Sequence, residues 1–381
     1  MKDEWLIFSA FIPHPLIMTQ VIAEWKKIWR ELRNAWLGLF FVLSVALIAR
    51  SFQSLIPGPT LNKAISEILI AMLIGLLIRN TIRLPASVDA GAKFAMTRVL
   101  RLGIILLGLR LSLQDVAATG STAIILILVC ISFALGFAFI VGRALNIPRR
   151  LVALISIGTA ICGNSAIIAT APLIEAKEED VSFAVAMITL FGLIAVIVYP
   201  VVGHAFAFAD SVFGLWAGVA VNDTSQVVAT ATAYSSRALN VATIVKLTRN
   251  VLLGPVMIMM GVLYARATHH ATQKISMRPV IPWFVIAFVG MSLLRTLGIA
   301  AGIFPQSVDA PGNLATSAAW LKFADDVSKF AILCALAGIG LSTNVVSLRR
   351  TGWRPFALAL SVAVALAVVS LSIITLAGLG G

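Results

Sequence analysis

Charged residues are scarce in this chain of 381 residues, where Asp, Glu, Lys and Arg together make up 12%. Soluble globular proteins carry about a quarter charged residues, so the composition excludes an ordinary soluble enzyme. Only three cysteines occur, Cys130, Cys162 and Cys334, and their spacing fits neither a disulfide framework nor a zinc site. Intrinsic disorder is also excluded, because disordered chains are rich in polar residues and poor in apolar ones.

Apolar residues dominate instead: they form 60% of the chain, and long apolar runs recur along nearly its whole length. A membrane-spanning helix needs about 20 mostly apolar residues. The runs therefore predict an all-α, polytopic helical membrane protein with about 11 spans. The predicted spans lie near residues 35–50, 64–79, 98–114, 121–145, 151–175, 181–204, 211–235, 243–266, 281–302, 325–346 and 355–378.

Basic residues outnumber acidic ones by 29 to 16, which gives a formal net charge of +13. No nucleic-acid-binding motif accompanies this excess, so we expect no nucleic-acid partner. The basic residues cluster in alternate loops, and the positive-inside rule places such loops in the cytoplasm. This pattern predicts a cytoplasmic N-terminus and an external C-terminus. One loop departs from it: residues 203–210 should be cytoplasmic but contain no Lys or Arg.

Residues 1–34 differ from the rest of the chain. Three tryptophans alternate there with four basic residues, namely Trp5, Trp25 and Trp29 with Lys26, Lys27, Arg30 and Arg33. This mixture is typical of an amphipathic helix that lies against an anionic membrane surface. The connections between the predicted spans are too short to fold separately. We therefore predict an interfacial arm over residues 1–34 and a single transmembrane domain over residues 35–381.

Two internal repeats are visible. Residues 93–112 share a Lys-Phe-Ala and a Gly-x-x-Leu-Ser pattern with residues 322–342, on predicted spans three and ten. Those spans would run in opposite directions, which is the signature of inverted-topology repeats. Residues 158–171 match residues 218–231 more tightly, but on spans five and seven, which would be parallel. The two repeats conflict unless one of the tighter pair is re-entrant.

The tighter repeat places polar residues in the middle of apolar runs. The helical pattern stops at residues 163–165 and again at residues 222–225. Asn, Asp, Ser and Thr are preferred N-cap residues, so we infer two discontinuous helices with new N-termini inside the membrane. Such N-termini attract anions. The alternative is close packing of small residues. The candidate substrate-binding residues are Thr159, Cys162, Gly163, Asn164, Ser165, Asn222, Thr224, Ser225, Gln226, Lys246 and Arg249.

Asp223 is the acid in this pattern, and an ionised carboxylate at bilayer depth must be paired, protonated or functional. It could bind the H⁺ or Na⁺ that drives transport, or it could form a salt bridge with Lys246 or Arg249 while capping its half-helix. Lys246 and Arg249 share one helix face. They could bind an oxyanion directly, or they could extend to water from a helix end.

The motifs at residues 158–166, 223–228 and 245–249 resemble the sulfate exporter family, a group of bacterial inner-membrane proteins named for a proposed substrate. The resemblance extends from about Ile65 to the C-terminus and implies an inner-membrane location. This family is distantly similar to the secondary transporters that include cation/proton antiporters and bile-acid symporters. That similarity implies a core domain with crossing broken helices that moves against a scaffold domain.

The sequence therefore predicts a secondary active transporter that exports a small anion, such as sulfate, sulfite or an organosulfonate, coupled to an ion gradient. The alternative is a cation/proton antiporter in which Asp223 carries the exchanged ion. An intramembrane enzyme has less support, because neither a Ser/His/Asp arrangement nor an HExxH motif is present. We expect no metal or other cofactor apart from the coupling H⁺ or Na⁺. A small anion and the lipid bilayer are the expected partners, and a homodimer is compatible with the sequence.

Overall fold

The computed structural model describes residues 15–55, 67–268, 283–305, 315–343 and 353–379. Every regular element in these ranges is helical, so the predicted all-α class is confirmed. The helices are α1 (Pro15–Ser54), α2 (Glu67–Thr81), α3 (Ala86–Phe94), α4 (Leu100–Leu107), α5 (Leu113–Ala144), α6 (Arg149–Ala160), α7 (Asn164–Thr170), α8 (Glu178–Ala205), α9 (Asp210–Ala220), α10 (Thr224–Tyr234), α11 (Ser236–Val251), α12 (Leu253–Thr268), α13 (Trp283–Ala300), α14 (Ala315–Ser342) and α15 (Trp353–Leu376).

Six helical stretches in the described ranges are long and apolar enough to cross a bilayer. They are Glu31–Ser54 in α1, Leu113–Ala144, Glu178–Ala205, Ser236–Met260, Trp283–Ala300 and Trp353–Leu376. A helix rises 1.5 Å per residue, so about 20 residues cover the hydrocarbon core. These helices make the chain a multi-pass membrane protein, as the sequence predicts.

Residues 210–234 form a re-entrant helical hairpin rather than a span. Asp210, at the start of α9, accepts a 2.7 Å hydrogen bond from Ser235, which follows the end of α10. If α9 and α10 were collinear, these two residues would lie about 37 Å apart. The rings of Phe213 and Tyr234 also stack with centroids 3.8 Å apart. The chain therefore reverses at residues 221–223, which form the tip of hairpin 2.

Residues 149–174 reverse in the same way and form hairpin 1. Arg150, in the first turn of α6, forms a 3.6 Å ion pair with Glu175, which follows the short 3₁₀ turn at the end of α7. The tip of this hairpin is residues 161–163. Within the described residues, the predicted crossings at residues 151–175 and 211–235 are therefore hairpins rather than spans. The interruptions themselves lie where the sequence places them.

The two hairpins approach each other along α8. Hairpin 1 ends next to the N-terminus of α8, and hairpin 2 begins just after its C-terminus. Since α8 has 28 residues and is about 42 Å long, the hairpins enter from opposite sides. Asn164 in hairpin 1 and Gln226 in hairpin 2 both bond to Thr189, near the middle of α8. The matching hairpins thus have inverted orientations, which removes the conflict between the two repeats.

The looser repeat forms an antiparallel pair. The Cβ of an alanine at Gly338 on α14 would lie 3.0 Å from the carbonyl oxygen of Ala92 on α3. Further along, Ser328 on α14 donates 2.7 Å to the carbonyl of Gly103 on α4. Residue numbers therefore rise on one segment as they fall on the other. The two copies run in opposite directions, as predicted, and the structure shows that they also pack directly on each other.

Helix α1 crosses residue 34 without interruption. Residues 1–14 of the predicted arm lie outside the described residues, so the arm and the boundary remain predictions. A Cβ on Gly91 of α3 would lie 2.2 Å from the carbonyl carbon of Gly38 on α1, which shows how closely these helices approach. The predicted span 98–114 begins too late, since the helix already starts at Ala86. Asp89 can lie in it because Arg79 pairs with its carboxylate at 2.7 Å.

Candidate functional site

The tips of the two hairpins touch at Gly163 and Asp223. Gly163 has φ +67, a conformation that side chains rarely adopt. A Cβ at this position would lie 3.1 Å from the Cα, Cβ and Oδ2 of Asp223. Glycine is therefore required for the turn and for the close approach of the tips. Two chain reversals that enter from opposite sides meet at this contact.

Asp223 is the N-cap of α10 in hairpin 2. Its Oδ1 accepts hydrogen bonds from the backbone N–H of Ser225 at 2.9 Å and from the Ser225 hydroxyl at 2.6 Å. Gln226 completes a capping box, because its Oε1 accepts from the backbone N–H of Asp223 at 3.3 Å. The Gln226 amide also donates to the carbonyl of Thr189 on α8 at 3.1 Å. Ser225 and Gln226 thus fix hairpin 2 in place through these bonds.

Hairpin 1 has no equivalent cap. The N-cap position of α7 is Gly163, and no side chain accepts a hydrogen bond from the first turn. Asn164 is half-buried and donates to the hydroxyl of Thr189 at 3.3 Å, whereas Ser165 is exposed. Thr224 is half-buried at the start of α10. Asn164, Ser165 and Thr224 are therefore the predicted residues whose side chains are most accessible at the tips.

Lys246 on α11 lies behind the tips and is fully buried, with 0% exposure. Its ammonium donates to the carbonyls of Ile161 at 2.8 Å and Val221 at 3.0 Å, and also to the carbonyl of Asn222. These acceptors belong to both tips. Helices α6 and α9 end there, where the last carbonyls lack helical partners and the dipole is negative. Lys246 satisfies both ends at once.

Arg249 lies one turn further along α11. It also donates hydrogen bonds to backbone carbonyls at the ends of α6 and α9. Its Nε donates to Ala160 at 2.6 Å, and its two terminal nitrogens donate to Thr159 and Val219. The predicted salt bridge of Asp223 with Lys246 or Arg249 is therefore wrong. The alternative in which both cations extend to water is also wrong, since both are buried. The unpaired carbonyls of the broken helices attract these cations more directly than Asp223 does.

Thr159 and Cys162 have buried positions in hairpin 1. The Thr159 hydroxyl donates 2.9 Å to the carbonyl of Ile155 within its own helix, and Cys162 is a free, buried thiol. On the other side of the tips, Asn222 lines a cavity of about 130 Å³ together with Tyr199 of α8. The structure thus places all the predicted residues around the two tips. Some side chains are accessible at the tips, others are buried beneath them, and the two cations lie behind them.

Two residues that belong to this arrangement were missing from the sequence-predicted set. Thr189 bonds to both hairpins from α8, and Asn250 on α11 donates to the Thr224 hydroxyl at 3.2 Å. Each is a polar residue inside a helix that the sequence predicts to span the membrane. That signal could have identified both, because buried polar groups need partners.

Comparison with known proteins shows the family to which this chain belongs. The chain matches the family model described as conserved hypothetical protein 698 over residues 37–359. A UPF0324 membrane protein of Fusobacterium nucleatum subsp. nucleatum is 33% identical over 360 residues, which cover 91% of this chain and 100% of that protein. Similar proteins of the same designation occur in Clostridium tetani, 32% identical over 84% of this chain and 90% of that protein, and in Agrobacterium fabrum, 32% identical over 88% and 90%. This chain therefore belongs to the conserved hypothetical protein 698 family, which it shares with UPF0324 membrane proteins.

Proposed function

We propose that this protein is a secondary active transporter that exports a small anion of the sulfate, sulfite or organosulfonate type, coupled to an ion gradient. One observation carries the proposal: two hairpins enter from opposite sides, and their polar tips meet near the middle of α8. Irregular backbone at membrane depth is tolerated only inside protein or beside a water-filled cavity. In transporters such breaks form substrate and ion sites at the interface of inverted repeats.

The inverted orientation of the two hairpins supports a transporter over a protein with a purely structural role. The two hairpins reach the tips from opposite sides, so in this proposal a movement of one hairpin opens the tips to one side alone. Alternating access requires this kind of arrangement, in which one site has two separate exits. A purely structural element would not need two opposed hairpins with polar tips.

The charges at the tips favour an anion. Lys246 and Arg249 provide two positive charges behind the tips, and Asp223 provides one negative charge at their contact, which leaves an excess of one positive charge. The cations act through the carbonyls that they neutralise, so direct contact with the substrate falls to the accessible side chains. In this proposal Asn164 and Ser165 bind the anion, and Asp223 binds the coupling ion.

A cation/proton antiporter is the second candidate. It is favoured by one observation, that the carboxylate of Asp223 lies at the contact between the two tips. Proton release from vesicles on addition of a cation, with no anion supplied, would support it over anion export. We propose no enzymatic activity for this site.

The topology also bears on orientation. Because both hairpins return to the side they entered from, residues 203–210 lie on the opposite side of α8 from residues 175–177. The loop without Lys or Arg then falls on the external side, which removes the exception to the positive-inside pattern. We propose a bacterial inner-membrane location with a cytoplasmic N-terminus and an external C-terminus.

A flux assay tests the function. Purified protein in liposomes should exchange labelled sulfate, sulfite or a simple alkanesulfonate in a saturable way, and an imposed ion gradient should accelerate the exchange. Ser165→Ala should reduce this flux. Ser156→Ala is the matched control in the same hairpin, because its hydroxyl bonds only within α6, to the carbonyl of Ala153. Absence of saturable flux for all three anions would contradict the proposal.

A further inference from the structure

Several buried side-chain oxygens at the hairpin tips accept no hydrogen bond. The carboxamide oxygens of Asn222 and Asn250 are both without a donor, although each residue is only 3% exposed. A buried polar atom without a partner costs about 1–3 kcal/mol. Because such atoms are rare in folded proteins, two of them at the same tips point to a ligand that supplies what is missing.

Asn250 is the better placed of the two. Its amide nitrogen donates to the hydroxyl of Thr224 at 3.2 Å, and Thr224 directly follows Asp223. The oxygen of the same carboxamide therefore lies at the tip of hairpin 2 as well. The amide orientation is consistent with this bond, and it leaves a free acceptor beside the N-cap.

Asp223 adds a carboxylate to this set. Ser225 donates both of its hydrogen bonds to Oδ1. The other oxygen, Oδ2, faces Gly163 across the contact between the tips. Lys246 and Arg249 do not bond to this carboxylate, because they donate to backbone carbonyls behind the tips. The tip thus combines one carboxylate, one amide oxygen and one hydroxyl oxygen.

The oxygen atoms at the tip of hairpin 2 favour a metal cation over a proton. A proton on Asp223 would provide one O–H donor for one acceptor, whereas a hard cation takes several oxygen ligands together. A set with one negative charge and otherwise neutral oxygens suits a monovalent cation. Discontinuous helices in transporters hold coupling ions with oxygen donors of this type.

We propose that Asp223, Thr224 and Asn250 form a Na⁺ site at the tip of hairpin 2, and that Na⁺ is the ion whose gradient drives the transport proposed above. The inference rests on the proposed function for its role in coupling, but the binding site itself does not depend on any substrate. Bound Na⁺ would give the Asn250 oxygen its missing partner. It would also join α11 to the tip where the hairpins meet.

The experiment measures Na⁺ binding directly, without flux. Full-length purified protein in detergent is titrated with NaCl by calorimetry, and its Tm is followed in NaCl, KCl and choline chloride at equal ionic strength. A ligand that binds only the folded state raises Tm with concentration. We expect saturable heat and a rise in Tm with NaCl alone. Asp223→Asn and Asn250→Ala should each weaken Na⁺ binding roughly tenfold or more.

The matched control is Asn240→Ala. Asn240 lies on the same helix, and its oxygen also lacks a donor, but it is about 15 Å further from the tip. Its replacement should leave Na⁺ affinity unchanged. If Asn250→Ala fails to fold, Asn250→Asp keeps an oxygen at the same place and should retain Na⁺ binding; loss of binding in a folded Asn250→Asp would contradict the site.

Two results would overturn the inference. The first is a wild-type protein whose Tm and heat of binding are the same in NaCl and in choline chloride. The second is Na⁺ binding that is unchanged in both Asp223→Asn and Asn250→Ala. In that case, saturable anion flux driven by a pH gradient alone would still support the transporter function, although the Na⁺ site would be ruled out. If the protein binds Na⁺ normally but shows no anion flux, the Na⁺ site would be supported and the transporter function would be contradicted.

Discussion

The two hairpins share a sequence pattern but differ at the residue that begins the second half-helix. Gly163 of hairpin 1 occupies the position of Asp223 in hairpin 2. Asp223 caps its helix and is held by Ser225, whereas Gly163 leaves the first turn of α7 without a side-chain cap. The bulkier residue of one tip fits only because the other tip has none. In the proposed transporter, this difference gives the hairpins different roles: hairpin 2 binds the coupling ion, and hairpin 1 exposes Asn164 and Ser165 to the substrate.

The largest expected effect tests what the hairpins have in common. Arg249→Met leaves the carbonyls of Ala160, Thr159 and Val219 without their charged donor, in both hairpins at once. Because orphaned buried acceptors cost about 1–3 kcal/mol each, we expect a loss of stability of about 3 kcal/mol or more. Thermal unfolding in detergent measures it.

Lys329→Met is the control for Arg249→Met. Lys329 is 42% exposed and pairs with Asp325, which keeps its ion pair with Arg110 in the variant. The ammonium of Lys329 is partly exposed and the buried carboxylate of Asp325 keeps its partner Arg110, so the loss of stability should be smaller than in Arg249→Met. Equal stability of the two variants would mean that the shared cation does not hold the hairpins together.

The next effect tests the contact between the tips. Gly163→Ala places a side chain at φ +67 and a Cβ 3.1 Å from Asp223. The conformation alone costs about 1–3 kcal/mol, and the contact would push the tips apart. We expect lower Tm and strongly reduced anion flux. Gly136→Ala should change neither, because a Cβ at Gly136 has no neighbour within 4 Å and alanine favours the helix. Normal flux in Gly163→Ala would show that the tips need not meet.

The third test separates the roles of the hairpins. Asp223→Asn keeps a good N-cap residue, so the fold should be preserved while the charge that binds the coupling ion is lost. Anion exchange without a gradient should continue, and its acceleration by the gradient should disappear. Asp210→Asn changes an acid at the base of the same hairpin and should leave the acceleration intact. Coupled flux in Asp223→Asn would assign coupling to another residue.

Much of this arrangement could be predicted from the sequence. Composition gave the helical membrane class, and the Gly-Asn-Ser and Asp-Thr-Ser patterns located both chain breaks. The conflict between the repeats indicates that one of the two segments is re-entrant, but the sequence does not show that both are. The reason is that a half-helix of about 11 residues has the same apolar composition whether the chain continues or turns back. Asp210 and Ser235 meet only in three dimensions. The partners of Lys246 and Arg249 were missed for a similar reason, since backbone carbonyls leave no trace in side-chain patterns.

The smallest expected effect compares the bases of the hairpins, where each chain reversal is closed. In hairpin 2, Ser235 donates to Asp210 and also caps α11 by accepting from the backbone N–H of Ala238 at 3.0 Å. Ser235→Ala removes both bonds and should cost about 1 kcal/mol. In hairpin 1 the closing pair of Arg150 and Glu175 is more exposed, at 35% and 55%. Glu175→Gln should therefore cost less than about 0.5 kcal/mol. Thermal unfolding of both variants measures the difference, and a larger loss for Glu175→Gln would mean that the exposed ion pair, rather than the serine, is the stronger closure.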